Sequence, residues 1–131
     1  MNALKARLPV FAAALWWGSL TAIGFMAVPL LFANASSPAV AGNLAAKLFT
    51  AQTWLSLGCG AVLLYTGRAA RLEAWVLAGL ILDLLIEFAA APHIRARENL
   101  AFWHGAGSAM YLGQWLCALV ALWRLSRASA S

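Results

Sequence analysis

The sequence predicts an all-α integral membrane protein, a four-helix bundle with both termini in the cytoplasm. Hydrophobic residues make up 64% of the 131-residue chain and charged residues only 10%. Four apolar runs reach the length of about 20 residues that a helix needs to cross a bilayer. The basic residues lie mainly in the tails and connections. This distribution is typical of membrane proteins, in which lysine and arginine outside the helices set the orientation in the bilayer. This length is that of a single domain.

The first helix is predicted over residues 8–32, after Lys5 and Arg7 in the N-terminal tail. Pro9 suits the first helical turn, where the N–H group that proline lacks has no partner to lose. The apolar run is too long for the core of a signal peptide, so we interpret it as a retained transmembrane helix. Pro29 is expected to bend the far end of this helix.

The second helix is predicted over residues 43–65, and the sequence offers two starting points for it. Ser37 followed by Pro38 forms one candidate start with serine as the cap, and Asn43 is the other. A short basic turn, with Arg68 and Arg71, follows the helix.

The third and fourth helices are predicted over residues 73–91 and 100–123. Pro92 is expected to end the third helix, because the residue before a proline avoids the helical region. Asn99 is a candidate cap for the fourth helix. We find no internal repeat in the sequence.

The distribution of basic residues predicts the orientation in the membrane. The N-terminal tail, the second connection and the C-terminal tail carry two basic residues each, and the first connection carries none. The third connection has Arg95 and Arg97, which Glu98 offsets. Both termini should therefore face the cytoplasm, and a bacterial inner membrane is the expected location.

Two carboxylates interrupt the apolar run of residues 80–88 in the third helix. Asp83 lies roughly 13 Å from the outer helix end and Glu87 roughly 7 Å, at 1.5 Å per residue. A charged side chain at mid-membrane costs about 2.5–3.5 kcal/mol on insertion scales. Both acids should therefore face the bundle interior, where a spacing of four residues puts them on one side of the helix.

Other polar residues are predicted at the same two depths. We expect Glu87 to pair with His104 or Lys47, which lie at its level in the outer half. We expect Asp83 either to accept hydrogen bonds from hydroxyl groups or to be protonated. The predicted intramembrane polar site comprises Asp83, Glu87, His104, Lys47, Ser108, Gln52 and Tyr111.

Three functions remain open at this stage. The first hypothesis is that the polar site binds or conducts a cation or proton, including a metal ion held by Asp83, Glu87 and His104. Alternatively, the chain is a non-catalytic scaffold or accessory subunit, and its polar network only fixes helix packing. The third hypothesis is a redox protein with a cofactor on His104. The sequence specifies neither the metal nor the cofactor.

The expected partners follow from the same composition. The lipid bilayer is the first, and a second copy or a membrane-complex subunit is the second, because four helices enclose little room for a transport path. No nucleic acid is expected, since there is no stripe of basic residues interleaved with aromatic ones. No enzyme is expected either, because the sequence contains no phosphate-binding loop, dinucleotide fingerprint or nucleophile motif.

Several local patterns, in order along nearly the whole chain, resemble the transmembrane-protein-205-like family. The resemblance implies a four-helix integral membrane protein without an established activity. It also implies that His104, Gly105 and Ser108 are special positions, whereas the acids rest on the physical argument alone. The patterns are Leu15-Trp16-Trp17-Gly18-Ser19, Val28-Pro29-Leu30-Leu31-Phe32, the segment 41–49, Pro92-His93-Ile94, and the segment 102–108.

Overall fold

The computed structural model describes residues 2–67 and 70–131, and within those ranges it contains helices and no strand. All four helices are long and apolar enough to cross a membrane, which confirms the predicted all-α class. Arg68 of the predicted basic turn lies outside the described residues. The helices are α1 (Ala3–Asn34), α2 (Pro38–Thr66), α3 (Glu73–Arg95) and α4 (Leu100–Ala130).

The helix starts follow from local capping chemistry. The side chain of Ser37 accepts a hydrogen bond from the Val40 N–H at 3.2 Å, and Pro38 is the first residue of α2. Of the two predicted starts, the structure therefore has the one at Ser37. Asn99 precedes α4 in the left-handed conformation (φ 44°), and its side chain makes no capping bond. Only its carbonyl oxygen contributes, by accepting the Trp103 N–H at 3.1 Å.

Helices α1 and α3 each contain a five-residue π-helical segment, at Ile23–Ala27 and Ile86–Ala90. In both helices a proline, Pro29 or Pro92, lies two residues beyond the end of this segment. Proline lacks an N–H and its ring crowds the carbonyl four residues earlier, and the wider π turn accommodates both defects. The helix therefore runs on through Pro92 to Arg95, and the prediction that α3 ends at this proline was wrong.

The two π segments reveal a short repeat that we did not find in the sequence. Residues 23–29 and 86–92 share the pattern I-x-F-x-A-x-P, with identical residues at four of seven positions. Helix α1 packs on α2 and α4, and α3 packs on the same two helices. The chain is thus two helix hairpins, α1–α2 and α3–α4, and each has a π segment and a proline in its first helix.

We call the two ends of the bundle the basic end and the His93 end. At the basic end α1 and α3 begin and α2 and α4 finish, and Arg124 donates a 3.1 Å hydrogen bond to the carbonyl of Arg71 there. At the His93 end, the imidazole of His93 stacks on Trp103 at 4.2 Å and contacts the Glu98 carboxylate at 2.8 Å. The basic residues described at the basic end are Lys5, Arg7, Arg71, Arg124 and Arg127.

Buried side chains are concentrated in the half of the bundle next to the basic end. There Trp16, Leu63 and Val76 are essentially inaccessible and belong to one continuous apolar core. In the other half, α1 from Ile23 onward and α4 before Gln114 contain no fully buried residue among those described. The buried residues of that half are three alanines: Ala41, Ala45 and Ala90. The two halves meet at the level of Asp83.

Candidate functional site

Asp83 lies in the interior of the bundle, where only 3% of its surface is exposed. Its Oδ1 atom accepts a hydrogen bond from the hydroxyl of Thr53 on α2 at 3.2 Å. The side chain of Gln114 on α4 also faces this carboxyl group. Among the described residues, nothing hydrogen-bonds to the second oxygen, Oδ2. A buried acceptor without a donor is costly, so this oxygen is the first sign of a binding site.

Two glutamine side chains converge on one serine beside Asp83. The Nε2 atoms of Gln52 and Gln114 donate to the hydroxyl oxygen of Ser56, at 3.1 and 3.0 Å. Gln52 also donates to Ser19 on α1 at 3.0 Å. The side-chain oxygens of both glutamines lack a partner in the described part of the chain. Ser56 has a single hydroxyl proton, so it cannot satisfy both of them.

Among the described residues, the interior therefore holds three buried side-chain oxygens without donors, on Asp83, Gln52 and Gln114. They come from α3, α2 and α4, and all three residues are nearly inaccessible. The indole N–H groups of Trp16 and Trp17 are also unpaired, but no acceptor lies within hydrogen-bonding distance of them in the described residues. One carboxylate together with neutral oxygens can accept a proton or serve as the ligands of a hard cation.

Glu87 lies one turn from Asp83, inside the π segment of α3, and is half-buried. Its Oε1 atom accepts a hydrogen bond from the Thr50 hydroxyl at 2.9 Å. Thr50 and Thr53 on α2 thus pair with Glu87 and Asp83 on α3 in antiparallel order. The two acids do face the same neighbouring helix, but the partners of both are threonines, which the sequence interpretation had not included.

Tyr111 of α4 inserts its hydroxyl into the backbone of α1. The hydroxyl donates to the carbonyl of Leu20 at 2.6 Å and interacts with the backbone of Gly24. In an α-helix, the Gly24 N–H would bond to that same carbonyl, so the insertion accounts for the π segment that begins at Ile23. Gly24 is needed here because a Cβ atom would come within 2.8 Å of the tyrosine Cζ.

Three residues of the predicted site lie elsewhere. Lys47, His104 and Ser108 are all exposed, and none of them belongs to the hydrogen-bonded network around Asp83. Glu87 therefore has Thr50 as its partner instead of the predicted His104 or Lys47. The reason is packing: His104 and Ser108 lie on an exposed face of α4, whereas Gly107 of the same segment lies beside Ala90 and Ile94 of α3.

The hypotheses of a metal ion held by Asp83, Glu87 and His104 and of a cofactor on His104 gain no support from this geometry, because His104 is exposed and lies outside the polar network. No group of three His, Cys, Asp or Glu side chains suited to a metal ion occurs in residues 2–67 and 70–131. Cys59 and Cys117 are buried as free thiols, and Cys59 belongs to the apolar core. The residues that the sequence interpretation missed are Thr50, Thr53, Ser56 and Gln114. Their common signal was a polar side chain in an apolar helix.

Comparison with known proteins places the chain in a family without assigning it a function. No curated protein and no solved structure matches the chain. A family model described as a domain of unknown function, DUF4149, matches residues 11–102, which include the acids and their threonine partners. The match covers more than half of the chain, which therefore belongs to the DUF4149 family.

Proposed function

We propose that this protein is a multi-pass membrane protein that binds a proton or a small monovalent cation at Asp83. The observation that carries the proposal is the set of three unpaired, buried oxygens on Asp83, Gln52 and Gln114. A proton on Asp83 turns one carboxyl oxygen into a hydrogen-bond donor, and a neighbouring oxygen can accept that hydrogen bond. A cation instead takes these oxygens as ligands, and the single negative charge of the carboxylate matches a single positive charge.

The distribution of charge supports the proposed orientation. Five of the described basic residues lie at the basic end, and the positive-inside rule places that end in the cytoplasm with both termini. Asp83 then opens toward the outer face of a bacterial inner membrane. We further propose that the protein is not an enzyme, that its partners are lipid and a second copy or another membrane subunit, and that its narrower relationship is to transmembrane-protein-205-like proteins.

Carbodiimide labelling tests occupancy of Asp83. Dicyclohexylcarbodiimide enters membranes and reacts with protonated carboxyl groups in apolar surroundings. In detergent at neutral pH, the wild-type protein should be labelled at Asp83, as mapped by mass spectrometry of its peptides. Asp83→Asn should lose this label, and Glu87→Gln, the matched control one turn away, should retain it.

Competing salts identify the occupant. If the occupant is a cation, sodium or potassium chloride should protect Asp83 from the carbodiimide, whereas choline chloride at the same ionic strength should not. If the occupant is a proton, none of the three salts should protect. The proposal is wrong if Asp83 remains unlabelled in every salt, including choline chloride, while the protein is folded.

A scaffold is the second candidate, and a specific observation favours it. The polar network has a member on each helix: Ser19 on α1, Gln52 on α2, Asp83 on α3 and Gln114 on α4. Such networks fix the register of helices even where they bind nothing. Under this hypothesis the Asp83→Asn variant keeps the hydrogen bond with Thr53, the free energy of unfolding and the binding of every partner. The Asp83 carboxyl of the wild-type protein is then not labelled by the carbodiimide.

A further inference from the structure

The bundle is closed on one side of Asp83 and loosely packed on the other. Between Asp83 and the basic end, Trp16, Leu63, Val76 and Leu125 are buried in one apolar core, with Ala118 and Ala121 beside them. This core is about 15 Å long, the rise of ten helical residues. Among the described residues of this core, the only polar groups are the Trp16 indole N–H and the Cys59 thiol, and neither is an oxygen ligand that could carry a hard cation across the layer.

Toward the His93 end the last segments of α1 and α3 pack mainly within their own hairpins. The last segment of α1, Val28–Asn34, packs on α2, and the last segment of α3, Ala91–Arg95, packs on α4. The main contacts in this half thus lie within each hairpin. No residue larger than alanine is fully buried there in the described chain.

Aromatic contacts bridge the hairpins at the bottom of this half, and one of them lies beside the polar site. Phe49 of α2 and Tyr111 of α4 meet edge to face, with ring centroids 5.6 Å apart. Thr53, the donor to Asp83, lies one turn from Phe49 on α2 and hydrogen-bonds to its carbonyl at 3.2 Å. The aromatic pair therefore lies just above the polar site, at the side that faces the His93 end.

We propose that Asp83 is reached from the His93 end only, between the two hairpins, along Glu87 and Thr50 and past the Phe49–Tyr111 pair. Glu87 is half-buried and stands one turn closer to the His93 end than Asp83, so it is the carboxylate inside the bundle that a proton or cation meets before Asp83. The π segments widen both first helices at this level. The hairpins, which share the I-x-F-x-A-x-P pattern, form the two walls of the path. This inference rests on the proposed function, since a site that binds nothing requires no path.

Cysteine accessibility tests the path independently of any binding. The native Cys59 and Cys117 are replaced by alanine, and single cysteines are introduced as Thr50→Cys and Glu87→Cys. The matched control is Val76→Cys, because Val76 is fully buried in the basic half of the helix that carries Asp83 and Glu87. Arg97→Cys and Arg127→Cys mark the two faces of sealed vesicles. The reagent is a charged methanethiosulfonate that does not cross membranes.

We expect Thr50→Cys and Glu87→Cys to react from the side that labels Arg97→Cys. Their reaction should be at least about 100-fold faster than that of Val76→Cys, since a charged reagent is excluded from an apolar interior to that extent. Reaction from the Arg127 side, from neither side, or at the rate of Val76→Cys would overturn the inference. Gel filtration of each variant shows whether it is folded.

The two proposals fail separately. Carbodiimide labelling of Asp83 in detergent does not depend on sidedness, and the cysteine reaction does not depend on what Asp83 binds. Labelling of Asp83 with unreactive cysteines at positions 50 and 87 leaves a binding site and removes the path. Reactive cysteines with an unlabelled Asp83 leave a water-accessible cleft and remove the binding site.

Discussion

At the scale of single residues, Asp83 depends on one shared hydroxyl proton. Thr53 directs its hydroxyl toward both the Asp83 carboxyl and the carbonyl of Phe49, each at 3.2 Å. One proton cannot fully serve two acceptors, and the second carboxyl oxygen has no donor among the described residues. This shortage distinguishes Asp83 from Glu87, which is half-buried and receives a shorter bond of 2.9 Å from Thr50.

Thr53→Val should therefore destabilise the protein, because it removes the hydroxyl donor and leaves the buried carboxyl unpaired. We expect a loss of about 1–3 kcal/mol in the free energy of unfolding, measured by thermal unfolding in detergent. Thr66→Val is the control, since the Thr66 hydroxyl donates to the carbonyl of Val62 in its own helix and to no other group among the described residues. The double variant Thr53→Val with Asp83→Leu should regain stability, because it removes both polar partners together. Equal losses in the single and double variants would contradict this prediction.

At the scale of elements, the contact between α1 and α4 is built around one tyrosine hydroxyl. Tyr111 bonds to Leu20, and Trp115 one turn further donates to Thr21 at 2.9 Å. The indole of Trp115 also packs against Trp17 and Phe25, with ring centroids 5.7 Å away in both cases. These contacts tie the two hairpins together at the level where the loosely packed half begins.

Gly24→Ala tests this element contact. The added Cβ would clash with the Tyr111 ring and displace it, which would break the hydrogen bond to Leu20. We expect the free energy of unfolding to fall by about 1–3 kcal/mol. Gly18→Ala in the same helix meets nothing within 4 Å, so it should be neutral or stabilise by up to about 1 kcal/mol. Thermal unfolding of both variants in detergent gives the comparison. Equal effects of the two substitutions would argue against the insertion.

The sequence predicted where the helices begin better than it predicted which side chains contact each other. The apolar runs predicted starts of α3 and α4 at Glu73 and Leu100, where the structure has them. Depth along each helix was also informative, since Asp83 and Gln52 both lie in the buried polar network. Depth could not show how densely each half is packed. His104 was therefore assigned a partner, Glu87, although its side chain is exposed.

The proline at position 92 shows a second limit of sequence reasoning. A proline is a stop signal in an isolated helix, but a π turn before it accommodates the missing N–H. The signal for this was the pattern that residues 86–92 share with residues 23–29. It is short and was not recognised as a repeat until the two π segments were seen.

At the scale of the whole molecule, the half of the bundle next to the basic end has a continuous apolar core, and the half next to the His93 end has few buried residues. The half with this core ends in Lys5, Arg7, Arg71, Arg124 and Arg127. Overall composition predicted a membrane protein of four helices, but it could not predict this asymmetry, because composition does not show which side chains pack together. The asymmetry arises from where large side chains such as Trp16 and Leu63 meet.

Reporter fusions test the orientation of the whole chain. A green fluorescent protein fused after Ser131 should fluoresce, because the basic end is expected in the cytoplasm. Alkaline phosphatase fused at Arg97 should be active, since the connection between α3 and α4 is then outside. A C-terminal fusion that does not fluoresce, together with an inactive phosphatase fusion, would contradict this orientation. It would show that the half next to the His93 end faces the cytoplasm.

Infrared difference spectroscopy of the purified protein tests the central claim most directly. Spectra at neutral pH in choline, sodium and potassium chloride are compared in the region of the carbonyl stretch of protonated carboxylic acids. Occupancy of Asp83 predicts a band there that Asp83→Asn abolishes and Glu87→Gln preserves, and a bound cation predicts that its salt removes the band. A spectrum of folded protein in choline that is the same in wild type and Asp83→Asn would contradict the claim that Asp83 binds a proton or a cation.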